Sequence, residues 1–168
     1  MQKGILQLEN RLILVAWLNH LLGYPSNQEM LGNIEKHVAE GFAADGHSHL
    51  YHHQIAQGDK VKIPAADLER YDANIRQHLE QINRGRTEKI TLRYFQHLAA
   101  LCTEIVLDRL FHKKAELLQE LNQFVAQRNA QRLPGEPKEN PFCEEDLTKL
   151  AYWMATGSGK TLILHLNY

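Results

Sequence analysis

Apolar residues recur at steps of three and four positions along residues 1–131, and this period predicts a succession of helices. The first helix is expected to run from about Ile5 to Leu22, because Gly23 and Pro25 follow it and both residue types end helices. A chain that begins with this pattern is expected to fold into a mainly α domain.

A second helix is predicted from Ser26 to about Glu40. Ser26 is a favourable first residue, and Glu29 follows at the spacing of a capping box. In that arrangement the two side chains satisfy backbone N–H groups that the first turn of a helix leaves without partners. Gly41 and Gly46 follow and are expected to mark the end of this helix.

Three longer helices are predicted next. The first begins at Pro64 and continues to about Asn83, and the second begins with Thr91 as its cap and continues to about Leu110. The third follows through about Gln127. Apolar residues cover nearly the whole circumference of the second one, so we expect it at the centre of the domain.

The segment that follows these helices is rich in proline. Residues 132–141 contain Pro134, Pro137 and Pro141 together with Gly135. Such a composition excludes helix and strand and is typical of a linker. The chain is therefore predicted to comprise a helical domain at 1–131, a linker at 132–141 and a second domain that begins at 142.

The most specific motif in the chain lies in this second part. The apolar run Leu150–Met154 predicts a buried strand, and a turn with two glycines follows it. Gly157 and Gly159, on either side of Ser158, allow successive backbone N–H groups to point at phosphate oxygens, because no Cβ obstructs the turn. Thr156 precedes this turn and is expected to contribute to it.

The turn is followed by the residue pair that phosphate-binding loops require. Lys160 is expected to place its charge on the β- and γ-phosphates of a nucleotide, and the Thr161 hydroxyl is expected to hold Mg²⁺. The apolar residues 162–164 then predict the start of a helix. Met154 departs from the strict motif, which has glycine or alanine at that position.

Residues 155–161, with Met154 ahead of them, resemble motif I of superfamily 2 helicases and translocases, and most of all that of the motor subunits of type I and type III restriction enzymes. Residues 67–75, 92–98 and 142–167 resemble the N-terminal region of large bacterial DEAD/DEAH-box helicase-like proteins. The resemblance implies a mainly α bundle, followed by the first strand, P-loop and start of helix of an incomplete RecA-like α/β domain. ATP and Mg²⁺ are the cofactors that it implies.

The function implied by this resemblance is ATP-dependent movement on DNA, in restriction or phage defence, together with other subunits. Such a motor needs an acidic Walker B motif and a second RecA-like lobe. A chain that ends at Tyr168 is expected to lack both, and so to bind nucleotide without turnover. Two alternatives stay open: a helical module that binds protein or DNA and has a vestigial loop, and a P-loop ATPase of another class.

Composition adds few constraints on partners. The net charge of −1 and the pI near 6.8 provide no large basic field for nucleic acid. Arg84, Arg86 and Lys89 form a local basic loop after a predicted helix, which favours a solvated helix end over a phosphate contact. The run Leu12–Leu18 is too short to span a bilayer, so no membrane association is expected.

Several residues have both a chemical and a structural interpretation. The histidine-rich stretch His47–His53 is compatible with a metal site, but it lacks accompanying ligands at the required spacing, which favours a polar loop or short helix. Phe142 lies where superfamily 2 proteins often place an aromatic residue against adenine, or it anchors the linker. Cys102 is expected to be a small buried hydrophobe. The two cysteines, Cys102 and Cys143, suggest no disulfide, and a reducing cytoplasm is expected.

Overall fold

The computed structural model describes residues 12–152 and 156–166, which form a mainly α fold. Seven α-helices lie in these residues. They are α1 (Ile13–Leu21), α2 (Asn27–His37), α3 (His49–Ala56), α4 (Ala65–Asn83), α5 (Tyr94–His112), α6 (Lys114–Ala130) and α7 (Lys160–Leu166). Within the same residues, the only β-type pairing is an isolated antiparallel bridge between Phe42 and Ser48.

Helix α5 lies at the centre of the fold, as its nearly all-round apolar surface predicts. It contacts α2, α3, α4, α6 and α7, and Ala100, Leu101 and Ile105 along it are almost completely buried. A helix that is apolar on every side lowers the free energy of folding only when other elements cover all of those sides. The remaining helices are therefore arranged around it.

The predicted start of α2 is confirmed, and its predicted end is wrong. The backbone N–H of Glu29 donates to the Ser26 hydroxyl over 3.2 Å, so Ser26 caps the helix. The helix ends at His37 instead of about Glu40, because Val38 takes an extended conformation and its buried side chain turns into the core. Burial of this apolar side chain outweighs the formation of almost one more helical turn here.

The next helices follow their predicted boundaries closely. Helix α4 begins directly after Pro64 and ends at Asn83, as predicted. Helix α5 begins after Arg93 and not after Thr91, because the Gln96 side chain accepts a hydrogen bond from the Arg93 backbone N–H over 3.0 Å. For the first predicted helix, residues 5–11 lie outside the described part of the chain, and α1 begins at Ile13.

The proline-rich segment lies along α6, running back from the end of that helix towards its beginning. The Asn129 side chain donates to the Glu139 carbonyl and accepts from the Glu139 N–H, both over 2.9 Å. Further on, the Lys114 ammonium group lies 2.7 Å from a Glu144 carboxylate oxygen. The segment therefore connects the two predicted parts of the chain along a defined path.

The predicted strand Leu150–Met154 is not formed in its described residues. Residues 150–152 are irregular, and 153 and 154 lie outside the described part of the chain. A single strand has no hydrogen-bonding partner, and an isolated strand is unstable for that reason. Tyr152 instead contacts α5, where its hydroxyl and that of Thr103 lie 2.7 Å apart.

None of the helices in residues 12–152 and 156–166 has the combination of length and apolar character that a membrane crossing requires.

Candidate nucleotide-phosphate site

The predicted phosphate loop forms a turn that leads directly into α7. Gly157 and Gly159 have φ values of 78° and 92°, a region that residues with a Cβ rarely adopt. The Gly159 carbonyl accepts a hydrogen bond from the Ile163 N–H over 3.1 Å, which makes Gly159 the residue that caps α7. Both glycines are thus required by the local backbone, independently of any ligand.

The predicted nucleotide-binding residues lie on the solvent side of this turn. The exposed residues are Thr156, Gly157, Lys160 and Thr161. The half-buried residues are Ser158 and Gly159. The opposite side of α7 packs against α4 and α5 through Ile163 and Leu166, which are 0% and 2% exposed. Helices α4 and α5 therefore support the loop from behind, and the predicted binding side faces outward.

The structure brings one residue to this loop that the sequence analysis missed. The Gln96 side-chain Nε2 donates to the Ser158 carbonyl over 2.9 Å, across a separation of 62 residues. Its Oε1 accepts from the Arg93 N–H, so the same side chain caps α5 and contacts the loop. A glutamine at the third position of a helix is a signal for capping only, and nothing local indicates the second contact.

The contact with Gln96 also explains the small residue at position 159. A Cβ added to Gly159 would lie 2.5 Å from the Gln96 Nε2, closer than such atoms approach in proteins. A substitution at Gly159 would therefore displace the Gln96 side chain as well as strain the backbone.

Phe142 lies at the point where the chain turns towards the loop. The Asn122 side chain accepts from the Phe142 N–H over 2.7 Å and donates to its carbonyl over 3.1 Å. The Phe142 side chain is half-buried against the core. These contacts support the interpretation of Phe142 as an anchor for the preceding segment.

The histidine-rich stretch forms α3 and the turn before it, and its imidazoles contact different partners. The His47 Nδ1 lies 3.3 Å from an Asp72 carboxylate oxygen, and the His52 Nε2 lies 3.0 Å from one of Asp45. In residues 12–152 and 156–166, no group of three or more histidine, cysteine or acidic side chains is arranged to hold a metal ion. The stretch is a short capped helix with polar contacts, as the structural interpretation predicts.

Asp72 is the buried acidic residue in this region. Its carboxylate accepts from the Ser48 N–H over 3.0 Å and lies 3.6 Å from the His97 Nε2. Burial raises the pKa of Asp72, but hydrogen bonds from His97 and Ser48 outweigh it, and the pKa is lowered overall. This cluster therefore joins α3, α4 and α5 as a structural contact.

Two of the three cations in the predicted basic loop interact with the end of α4. The Arg86 Nε donates to the Ile82 carbonyl over 3.0 Å, and the Lys89 Nζ donates to the Asn83 carbonyl over 2.7 Å. Cations at this position satisfy carbonyl groups that the last helical turn leaves without partners. Arg84 lines an adjacent groove of about 720 Å³. The geometry favours a helix-capping role for this loop.

Comparison with known proteins gives no match to this chain: no family model, no curated protein and no solved structure matches it. The similarity of residues 154–161 to motif I therefore stays a prediction from the sequence. Any proposal for function depends on the residues of the loop and on their surroundings.

Proposed function

We propose that this chain carries the nucleotide phosphate-binding loop of a superfamily 2 helicase or translocase of restriction or defence type. In this proposal Gly157, Ser158 and Gly159 contribute backbone N–H groups and Thr156 completes the turn, while Lys160 and Thr161 hold ATP and Mg²⁺. DNA and other subunits of such a system are the proposed partners of the motor as a whole.

One observation carries the proposal. The run 156–161 has the residue types of the motif, and in the same run two glycines with positive φ lead into a helix that begins at Lys160. Lys160 and Thr161 are exposed at the start of that helix. A bound triphosphate would therefore meet the ammonium group, the hydroxyl group and the N–H groups of the first turn from the solvent side.

The proposed activity of these 168 residues is binding without hydrolysis. Hydrolysis in such motors needs an acidic Walker B motif for Mg²⁺ and water, and arginines that stabilise the transition state. Residues 162–168, which follow the loop, include no acidic side chain. ATP is thus proposed to bind weakly and to remain intact.

Calorimetric titration of the chain with ATP and Mg²⁺ tests the proposal. Lys160→Ala is expected to weaken binding at least about tenfold, which is the effect of one lost charge-assisted contact. Lys138→Ala is the matched control, because it removes an exposed lysine from the proline-rich segment. No phosphate release is expected from the wild-type chain or from either variant.

Two results would contradict this proposal. If wild-type chain does not bind millimolar ATP, or if Lys160→Ala binds as wild type does, the phosphate-site assignment is wrong. The packing of Ile163 and Leu166 against α4 and α5 favours the second candidate in that case, a helical interaction module in which α7 has a purely structural role. If the chain hydrolyses ATP and the hydrolysis depends on Lys160, the proposed absence of hydrolysis is wrong, but the phosphate-site assignment is not.

A further inference from the structure

We infer that Gln96 is a positioning residue of the loop, which holds the Ser158–Gly159 peptide so that its N–H points at a bound phosphate. This inference depends on the proposed function and adds a residue that the motif does not contain. Its basis is the 2.9 Å hydrogen bond from the Gln96 Nε2 to the Ser158 carbonyl.

The orientation follows from the geometry of the peptide bond. In a planar trans peptide the C=O of one residue and the N–H of the next point in opposite directions, and the structure contains no cis peptide bond in its described residues. Gln96 lies on α5, so its hydrogen bond turns the Ser158 carbonyl towards the helical domain. The Gly159 N–H is therefore turned away from that domain, towards the side on which Lys160 is exposed.

A restraint of this kind is needed because of the glycines themselves. Gly157 and Gly159 have φ values of 78° and 92°, and glycine adopts positive and negative φ with similar ease. The peptide between Ser158 and Gly159 can therefore rotate at little cost and present either its carbonyl oxygen or its N–H to a ligand. A carbonyl oxygen would repel a phosphate that the N–H would bind, so one hydrogen bond to the carbonyl selects the binding orientation.

The Gln96 side chain is well suited to this task because both ends of its amide are engaged. Its Oε1 accepts from the Arg93 N–H over 3.0 Å at the start of α5, the most central helix of the fold. The amide plane is then fixed, and one of the two N–H groups on Nε2 is directed at the Ser158 carbonyl. A side chain held on a rigid helix positions a loop more accurately than a contact from another loop does.

Two substitutions separate the contact with the loop from the cap of α5. Gln96→Glu keeps an oxygen that accepts from the Arg93 N–H, and glutamate is favoured at this helical position, but it cannot donate to the Ser158 carbonyl. Gln96→Met is uncharged and removes both hydrogen bonds. Gln119→Met is the control, since Gln119 is exposed on α6.

The measurements are the affinity for ATP with Mg²⁺ and the ¹⁵N-resolved amide signal of Gly159, both in the full chain. We expect both Gln96 variants to bind about tenfold more weakly than Gln119→Met. The melting temperature of Gln96→Glu should stay close to the control, whereas that of Gln96→Met should be lower because this variant also loses the cap of α5. We also expect the Gly159 amide signal to shift on ATP addition in wild type and to respond much less in the variants. A purely structural role for Gln96 would lower the melting temperature without changing that response.

The outcomes distinguish this inference from the function on which it depends. If wild type binds ATP through Lys160 and both Gln96 variants bind within twofold of it, Gln96 does not position the loop, and the proposed function stands. If wild type does not bind ATP, the proposed function fails first, and the inference fails with it. Should Gln96→Met not fold, Gln96→Glu decides the result, because it keeps the cap of α5.

Discussion

Asn122 and Phe142 exchange two hydrogen bonds, in which one side-chain amide serves both backbone groups of a residue 20 positions away. Asn129 contacts Glu139 in the same way, and Asn83 contacts Ile90. In each case the side-chain amide provides the backbone N–H and carbonyl with the hydrogen-bond partners that a neighbouring strand would provide in a sheet. Asparagines on helices thus hold two irregular segments of this mainly α protein in place, one at Ile90 and the other at Glu139 and Phe142.

Removing the Asn122 amide is expected to destabilise the protein. Asn122→Ala leaves the Phe142 N–H and carbonyl without these partners, and each lost hydrogen bond costs about 0.5–1.5 kcal/mol. Urea unfolding should therefore show a free energy of unfolding about 1–2 kcal/mol below that of wild type, the contact being only partly buried. Asn140→Ala, at an exposed asparagine of the same segment, is expected to leave this free energy unchanged. Equal effects of the two substitutions would show that the segment is not held through Asn122.

The stability of the protein at acid pH is expected to depend on Asp108. The Arg70 guanidinium, which donates to this carboxylate over 2.9 Å, and the Tyr71 hydroxyl lower the pKa of Asp108 from 3.8 to about 2. Because the folded-state pKa is lowered, the stabilisation is complete above pH 3.8 and is lost as the pH falls towards 2. In urea unfolding, the stability difference between wild type and Asp108→Asn should be largest at about pH 5 and shrink at lower pH. Asp59→Asn, at an exposed carboxylate, provides the comparison, and a pH-independent difference for Asp108→Asn would contradict the assignment.

The two sides of α7 are expected to respond differently to truncation. Ile163 is completely buried, so Ile163→Ala leaves a cavity against α4 and α5 and should lower the free energy of unfolding by about 2–4 kcal/mol. Leu164 is 48% exposed, and Leu164→Ala should change the free energy of unfolding by less than about 0.5 kcal/mol. Thermal or urea unfolding of both variants measures the difference. Similar values for the two would mean that α7 does not dock through Ile163.

The two cysteines are expected to differ in reactivity. Burial raises the pKa of the Cys102 thiol to about 12, and this side chain is only partly accessible. Cys143 is exposed, and hydrogen bonds with Glu145 and Asp146 raise its pKa as well, so accessibility is the main difference between the two thiols. Because the thiolate is the reactive form, a chromogenic thiol reagent at pH 8 should modify Cys143 in the native protein and Cys102 only after unfolding in urea. A Cys143→Ser variant should accordingly be unreactive until it unfolds. Rapid modification of that variant under native conditions would contradict the expected protection of the partly buried Cys102 thiol.

The helices were predictable because their signals are local. Pro64 predicts the start of α4, and Ser26 the start of α2, since proline restricts the backbone and serine caps it wherever a helix follows. The end of α2 was less predictable, because it depends on the burial of Val38 by other parts of the fold. Helix α5 begins after Arg93 and not after the predicted Thr91, because the Gln96 side chain accepts a hydrogen bond from the Arg93 N–H. This contact comes from inside the helix and gives no signal at Thr91.

The surroundings of the loop were less predictable than the loop itself. The residues 156–161 follow one another in the chain, so the motif predicted for them can be read from the sequence alone. Gln96 belongs to another helix, and its contact with Ser158 exists only because α5 and α7 pack together. The strand predicted at Leu150–Met154 depended on a sheet, and its described residues, 150–152, form none.

The sequence by itself determined the mainly α character, most helix starts and the position of the glycine-rich turn, because backbone propensity and apolar period act between residues close in the chain. Only the tertiary structure decided that Ile163 is buried while Leu164 is exposed, and that asparagines of α6 hold the proline-rich segment. Those features depend on which surfaces meet after folding. A side chain finds such distant partners only when the whole core is assembled.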